Sequence, residues 1–195
     1  MTQRYWLKRL STLTMVAGSC IAQQGPPVPA STEPFVISIP SIPDGGTIPS
    51  RYTCVAGPGV VSPKIVWDHA PPGTASFVLV FHDLEPRPAK GIMDNSHWLL
   101  WNIPGTSVGL PEGVLAGPVL PDGTHEMKRP RTLPGSLYSY YGPCAPPGPN
   151  HHYAFEVYAL DTTLALPDDA TRQDVLKASD GHILAASAWL GLFHK

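Results

Sequence analysis

The stretch SFVLVFHDLEP, residues 76–86, contains the segment that decides the fold. Residues 77–81 are an unbroken apolar run, and such a run between turn residues is typical of a strand that is buried on both faces. The strand pattern ends in the polar residues His82, Asp83 and Glu85. Strand ends that lead into loops are common positions for functional sites, although an ordinary polar strand end has the same pattern.

Other segments with strand patterns recur at short intervals, separated by proline and glycine clusters. They are residues 35–39, 48–53, 64–67, 97–103 and 153–160.

The C-terminal part contains the best helical pattern, residues 170–179, with Asp168 or Asp169 as its cap and Gly181 as its stop. We expect the apolar tail, residues 182–193, to return to the core. The whole pattern predicts a mainly β fold with antiparallel pairing and one or two C-terminal helices.

The composition is typical of one folded, turn-rich domain. The 195 residues are 43% hydrophobic and 14% charged, with 24 prolines and 18 glycines. Folded domains have about 25% charged residues on average, and a chain this apolar does not fit intrinsic disorder. The formal net charge of −2 indicates no broad basic face, so nucleic acid is not an expected partner.

The first 22 residues have the pattern of a signal peptide. Positive charges at Arg4, Lys8 and Arg9 precede the uncharged segment 10–22, which is too short to span a bilayer comfortably. The proline-rich residues 23–34 then read as an extended tether, and residues 35–195 as the domain. An exported protein, periplasmic or secreted, is the expectation, and a plain cytoplasmic N-terminus is the alternative.

The interpretation of the cysteines depends on whether the protein is exported. The segment AGSC, residues 17–20, resembles a bacterial lipobox, and a lipid on Cys20 would be the only expected attachment to a membrane. Cys54 and Cys144 would lie in an oxidising compartment, where a disulfide is permitted. Two separate buried thiols are the alternative.

A histidine opens one of the apolar strands. His97 precedes residues 98–101, and a histidine in this position is either functional or a hydrogen-bonded structural residue.

The segment YYGPCAPPGPNHHYAFEVYAL, residues 140–160, changes from a stiff loop into a strand at two histidines. Glycine allows a backbone to approach a ligand closely, and prolines hold a loop in shape. His151 and Tyr153 are two residues apart, so on a strand they face the same side, and His152 faces the other.

The common catalytic patterns are absent from the sequence, namely the nucleophile elbow, the P-loop, the dinucleotide fingerprint and the zinc-protease helix. We therefore expect no enzyme and no cofactor. A two-histidine, one-carboxylate metal site formed by Asp83, His97 and His151 is conceivable, but no spacing supports it, so no metal is expected.

Several segments in order resemble the phosphatidylethanolamine-binding protein family, in its bacterial Raf-kinase-inhibitor-like branch. The matching segments are IPSRYTC (48–54), SPKIVWDHAPPGTASFVLVFHDLEP (62–86), HWLLWNIPGTSVGLPEGV (97–114), YYGPCAPPGPNHHYAFEVYALD (140–161) and DGHILAASAWLGLF (180–193). The resemblance implies a large antiparallel sheet, a smaller sheet packed on it, C-terminal helices, and a small pocket that binds phosphate or similar anions.

The resemblance also places that pocket on particular residues of this chain. Pro86 follows Glu85 directly, whereas the family's D-P-D-x-P loop has one residue between the second acid and the proline. The implied ligand-binding residues are Asp83, Glu85, Pro86, His97, Gly142, Pro143, His151 and Tyr153.

These positions lead to a hypothesis for the pocket. Gly142 would donate its amide, His97 and His151 their ring N–H groups, and Tyr153 its hydroxyl. Asp83 would hold a histidine in its donating tautomer and keep it protonated, as carboxylates behind ligand-binding histidines do.

The expected function is that of an exported protein that binds a small anion such as phosphate or phosphoethanolamine. The alternative is a regulatory inhibitor of a protease or kinase, with the charged loops 87–94 and 128–137 as contacts to a protein partner. A third possibility is a hydrolase or lyase in which histidine and aspartate act as general acid and base. The sequence leaves the oligomeric state open, a dimer included.

Overall fold

The computed structural model of the chain describes residues 33–87, 90–129 and 136–195. The predicted leader, residues 1–22, and most of the tether, residues 23–34, lie outside these ranges. Within them, no helix has the length and apolarity needed to cross a membrane.

The described residues form two sheets and one α-helix. In chain order the elements are β1 (Val36–Ser38), β2 (Gly46–Thr47), β3 (Ile65–Asp68), β4 (Ser76–Asp83), β5 (Asn95–Pro104), β6 (Gly109–Leu110), β7 (His125–Glu126), β8 (His151–Leu160), α1 (Arg172–Ser179) and β9 (Ile183–Phe193). The prediction of a mainly β fold is confirmed, with one helix near the C-terminus.

The larger sheet has six strands in the order β2-β9-β8-β4-β5-β7, and the smaller has three in the order β1-β3-β6. The pairings are antiparallel except for β2 with β9, which is parallel. The expected large sheet with a smaller sheet packed on it is therefore present.

The strand that decides the fold, β4, lies in the middle of the large sheet with all eight residues buried. Its residues alternate between two apolar clusters. Phe77, Leu79 and Phe81 join the cluster that includes the small sheet, whereas Val78 and Val80 join a cluster with helix α1. Burying one such side chain stabilises the fold by about 1.5–3 kcal/mol, so both faces of β4 contribute to folding.

The segment 48–53 is not the strand that its pattern predicts. Residues Ser50–Tyr52 form a 3-10 turn, in which Tyr52 N donates to Pro49 O at 2.9 Å. A second 3-10 segment, Cys54–Gly59, follows directly. Proline has no N–H to donate to a sheet, and its fixed φ angle suits a turn.

The C-terminal segments differ from the prediction in detail. Helix α1 begins after Thr171, whose side chain accepts a hydrogen bond from Asp174 N, so the cap is Thr171 and not Asp168 or Asp169. The side chain of Asp174 in turn accepts a hydrogen bond from the Thr171 N–H, which completes a capping box. The apolar tail forms β9, an 11-residue strand of the large sheet, in which Phe193 joins the core and Ala185 and Trp189 pack against it, whereas Ile183, Leu184 and Leu190 stay exposed.

Cys54 and Cys144 form a disulfide, which decides between the two interpretations of the sequence. The bond joins the second 3-10 segment to the loop that precedes β8. The bond therefore restrains the loop that contains Gly142 and Pro143.

Candidate functional site

The pairing of β4 with β8 places two predicted site residues side by side. Asp83 lies directly opposite Tyr153 in the antiparallel register, and His151 is two residues further along β8 on the same face. His151 Nδ1 lies 2.8 Å from Asp83 Oδ2 and 3.1 Å from Oδ1. Because a carboxylate only accepts hydrogen bonds, this contact keeps a proton on Nδ1 of His151.

A β-bulge brings His97 to the same face. Phe81 pairs with Trp98 but His82 pairs with Ser96, so β5 contains one extra residue at this point. Asn95 lies opposite Asp83, and Asn95 Nδ2 is 3.2 Å from His97 Nε2. Bulges commonly redirect a side chain beside a functional site, and this one adds His97 to the cluster.

The hydrogen bonds of His97 define its tautomer. Its Nδ1 lies 2.8 Å from the carbonyl oxygen of Tyr141, so Nδ1 carries the proton and Nε2 accepts from Asn95. Burial lowers the pKa of His97, against the opposing effects of the Tyr141 carbonyl and Asp83, which favours the neutral ring. In this geometry the N–H that His97 was expected to offer a ligand is bound to the backbone.

Tyr153 contributes a buried hydroxyl. The residue is 0% exposed, and its hydroxyl makes no hydrogen bond of normal geometry to the described residues. Burial raises the pKa of Tyr153, and Asp83 raises it further, while the backbone amides of Cys144 and Ala145 act in the opposite direction. The phenol therefore stays protonated and is available as a donor.

Glu85 binds the other histidine of the pair. Its Oε1 lies 2.7 Å from His152 Nδ1, and its Oε2 accepts from His152 N at 2.8 Å. Burial raises the pKa of Glu85, but the hydrogen bonds from His152 outweigh it and the pKa is lowered overall. His152 thus faces away from Tyr153, as the alternation along β8 predicts.

The loop before β8 forms a wall of the site. A Cβ atom on Gly142 would lie 2.6 Å from Tyr52 O, so close packing of the backbone explains the glycine. Pro143 O accepts from Cys54 N at 3.0 Å, beside the disulfide. Pro86 is half-buried in the loop after β4, where its carbonyl accepts a bond from Arg87.

The cluster opens to solvent at His151. Asp83 and His97 are both 3% exposed, whereas the His151 side chain is 21% exposed. We call Asp83, His97, His151 and Tyr153 the pocket cluster. A ligand that reaches it meets His151 first.

His82 belongs to a different network, because it points to the opposite face of β4. Its Nδ1 lies 2.7 Å from Asp94 Oδ2, and Asp94 also pairs with Arg172 of helix α1. Asp94 was expected in a charged contact loop, yet its side chain is 11% exposed. The hydrogen bonds from Arg172 and His82 outweigh the effect of its burial and lower its pKa.

A cavity that the sequence does not indicate is lined in part by Tyr141 and Gly142. Its volume is about 620 Å³. Its lining includes Val60, Val114 and Tyr140 but none of the pocket cluster. Scattered residues of several loops form it, so no contiguous motif could have predicted it.

The comparisons with known proteins agree on one family. The sequence model described as "Phosphatidylethanolamine-binding protein" matches residues 38–194. A "UPF0098 protein" of Methanothermobacter thermautotrophicus is 40% identical over 152 residues, which cover 78% of this chain and 93% of the relative. A Mycobacterium tuberculosis protein named "Putative lipoprotein LppC" is 34% identical over 80% of this chain and 71% of its own length.

Solved structures share the fold. A crystal structure of a phosphatidylethanolamine-binding protein homologue from Chlamydia trachomatis has a TM-score of 0.69 and 27% identity, and the match covers 83% of this chain and 98% of that one. Escherichia coli YbcL has a TM-score of 0.67 at 20% identity, over 84% of this chain and 99% of that one, which supports the fold alone.

Proposed function

Because this chain belongs to the phosphatidylethanolamine-binding protein family, we propose that its pocket cluster binds a small phosphate-bearing ligand. The observation that carries the proposal is the contact between Asp83 and His151, with the unpaired hydroxyl of Tyr153 directly opposite Asp83. Donors that are held in place without a protein acceptor suit a ligand that only accepts hydrogen bonds.

The donors in this cluster have distinct roles. Asp83 accepts from Nδ1 of His151, and in the imidazolium form Nε2 of the same ring also carries a proton and donates a hydrogen bond to the ligand. Tyr153 supplies a neutral hydroxyl from deeper in the cluster. Hydrogen bonds to a charged ligand are worth about 1.5–3 kcal/mol each, so two of them account for specific but moderate affinity.

The limited exposure of the pocket cluster favours a head group over acyl chains. The exposed part of the cluster is one imidazole edge, while Asp83 and Tyr153 lie behind it. Inorganic phosphate and phosphoethanolamine are therefore the probes with which to begin.

We propose further that the protein acts outside the cytoplasm. The positive and then apolar pattern of residues 1–22 and the name of the M. tuberculosis relative support export. Lipid attachment at Cys20 belongs to the same proposal. The alternative functions, an inhibitor of a protease or kinase and a hydrolase or lyase, stay predictions.

Calorimetry and thermal unfolding test the binding proposal. Phosphate or phosphoethanolamine should bind with one site per chain and raise the melting temperature of the domain. His151→Gln should weaken binding by about tenfold or more, since a charge-assisted bond is lost. His182→Gln is the matched control, because His182 also pairs with an aspartate, Asp161, at 2.8 Å but lies away from the cluster. Equal binding by both variants would move the ligand elsewhere.

A further inference from the structure

A second carboxylate lies next to the pair of Asp83 and His151. Asp83, Glu85 and His151 each present one metal-binding atom, and these three atoms lie within 4.8 Å of one another. Two ligands of one cation are up to about 4.4 Å apart when each metal–ligand bond is about 2.2 Å. The three side chains are therefore close to a spacing that a single cation could bridge.

The charges at this point create a difficulty for an anion. Asp83 and Glu85 are both acidic, and Asp83 is only 3% exposed. The two carboxylates would repel a phosphate at the same place unless positive charge lies between them and the anion. A divalent cation would cancel these charges and present a positive centre to the anion.

We propose that Asp83, Glu85 and His151 bind one divalent transition-metal cation, and that this cation contacts the anionic ligand. One nitrogen and two carboxylate oxygens are a donor set that suits Zn²⁺ and Mn²⁺. The cation would take the place of the proton between His151 Nδ1 and Asp83, and that proton would be released to solvent. The inference rests on the proposed function for the identity of the anion, but the metal site itself does not depend on it.

Glu85 is already oriented for this role. His152 donates to both of its carboxylate oxygens, at 2.7 and 2.8 Å. Metal-binding carboxylates are usually held by such partners, and losing one weakens metal binding by about 10–100-fold. The backbone N–H of Glu85 also donates to Asp83 Oδ1 at 3.2 Å, which ties the two acids together.

The hydroxyl of Tyr153 is an independent indication of a ligand. It lies directly opposite Asp83 and is fully buried, and although Asp83 and the amides of Cys144 and Ala145 are near enough to shift its pKa, none of them meets it in a hydrogen bond of normal geometry. Buried hydroxyls almost always have a partner. A water molecule or an anion oxygen on the cation would supply the missing one.

The solvent exposure of the three side chains is also consistent with a metal site. The side chains of His151 and Glu85 are 21% and 37% exposed, whereas that of Asp83 is 4% exposed. Three protein ligands on one side and solvent on the other leave positions free for an exchangeable ligand. This group differs from the two-histidine set that was considered from the sequence without the expectation of a metal, because Glu85 joins it and the Nδ1–H of His97 is bound to Tyr141.

The first experiment uses Zn²⁺ alone. The full domain is freed of metal with a chelator, dialysed, and titrated with Zn²⁺ by calorimetry, and we expect one site per chain. Glu85→Gln and His151→Gln should each weaken Zn²⁺ binding by about tenfold or more, as the loss of a ligand requires. His182→Gln should bind like the wild type. Failure of Zn²⁺ to bind at one site, or unchanged binding by Glu85→Gln, would overturn the inference.

The second experiment separates this inference from the proposed function. Phosphoethanolamine is titrated into the Zn²⁺-loaded and the chelator-treated protein. Tighter binding to the loaded protein supports the cation as the anion's contact. Equal binding to both forms overturns the inference and leaves the proposed function standing. Zn²⁺ binding without any phosphoethanolamine binding would instead contradict the proposed function and the cation's contact with an anion.

Discussion

Asp83 lies directly opposite Tyr153 across the β4–β8 ladder, yet the tyrosine hydroxyl is left without a hydrogen bond of normal geometry. The carboxylate of Asp83 is bound by His151 instead. A fold that pairs an acid with a histidine and leaves a buried donor beside them resembles a binding site more than a structural core. The first prediction follows from this relationship.

Replacing Tyr153 with phenylalanine should separate binding from stability. The hydroxyl makes no hydrogen bond of normal geometry to the described residues, so the free energy of unfolding should change by less than about 1 kcal/mol. Phosphate affinity should fall by about tenfold, which corresponds to one charge-assisted hydrogen bond. Urea unfolding and phosphate calorimetry measure the two effects.

Tyr158 offers the matched control for this variant. Its hydroxyl donates to Glu156 Oε2 at 2.8 Å on the opposite face of β8. Tyr158→Phe should therefore reduce stability and leave phosphate binding unchanged. If Tyr153→Phe reduced stability and kept full phosphate affinity, the hydroxyl would be structural.

Gly142 should not tolerate a side chain. An added methyl group would lie 2.6 Å from Tyr52 O and 2.9 Å from the Thr53 carbonyl carbon, both of which are backbone atoms. Such overpacking costs about 1–3 kcal/mol, and we expect Gly142→Ala to lower the free energy of unfolding by that amount. Gly59→Ala is the control, because no atom lies within 4 Å of its added methyl. Equal stability of the two variants would disprove the packing argument.

The disulfide should stabilise both the fold and the wall of the site. It joins Cys54 to Cys144, which are 90 residues apart, and the Cys54 N–H also binds Pro143 O. The double variant Cys54→Ser, Cys144→Ser should unfold about 2–5 kcal/mol more easily and bind phosphate more weakly. Wild-type protein under a reductant should behave in the same way, and a reductant that changed nothing would count against the idea.

Glu126 should make stability depend on pH. It is 1% exposed, and burial raises its pKa to about 7 despite hydrogen bonds from Gly117 N and Trp98 Nε1. Between the ordinary glutamate pKa of 4.5 and about 7, the folded state therefore holds a proton that the unfolded state has released. The contribution of this group is fully present below that ordinary value and is lost as pH rises through about 7.

The contribution of Glu126 to the free energy of unfolding changes by no more than about 3 kcal/mol over this pH range, since each pKa unit corresponds to about 1.4 kcal/mol. Glu126→Gln should remove this pH dependence. Unfolding curves of wild type and variant at pH values of about 5, 6, 7 and 8 measure this pH dependence. Parallel curves for the two proteins would contradict the assignment to Glu126.

Local patterns predicted the parts of the site that lie on regular strands. The apolar run before His82 predicts β4, and the two-residue spacing of His151 and Tyr153 places them on one face of β8. These inferences depend only on the alternation of side chains along a strand, which neighbouring residues determine. The family resemblance then identified Asp83 and His97 as partners in the same pocket.

Other features depend on contacts between distant segments. The bulge that redirects His97 exists only because β5 pairs with β4, and the carboxylate of Glu85 is held by His152, a residue 67 positions away in the chain. Asp94 is charged and lies in a loop, yet Arg172 and His82 bind it in a largely buried position. No local pattern contains these partners.

The sequence by itself determined the long central strands β4, β5 and β8 and the family to which the chain belongs, because hydrophobic periodicity and ordered motifs are properties of neighbouring residues. The tertiary structure alone decided which atoms meet. It joined Cys54 to Cys144, bound the Nδ1–H of His97 to a backbone carbonyl, and gathered Asp83, Glu85 and His151 within 4.8 Å. Register, bulges and loop packing fix such distances, and they arise only when segments far apart in the chain pack together.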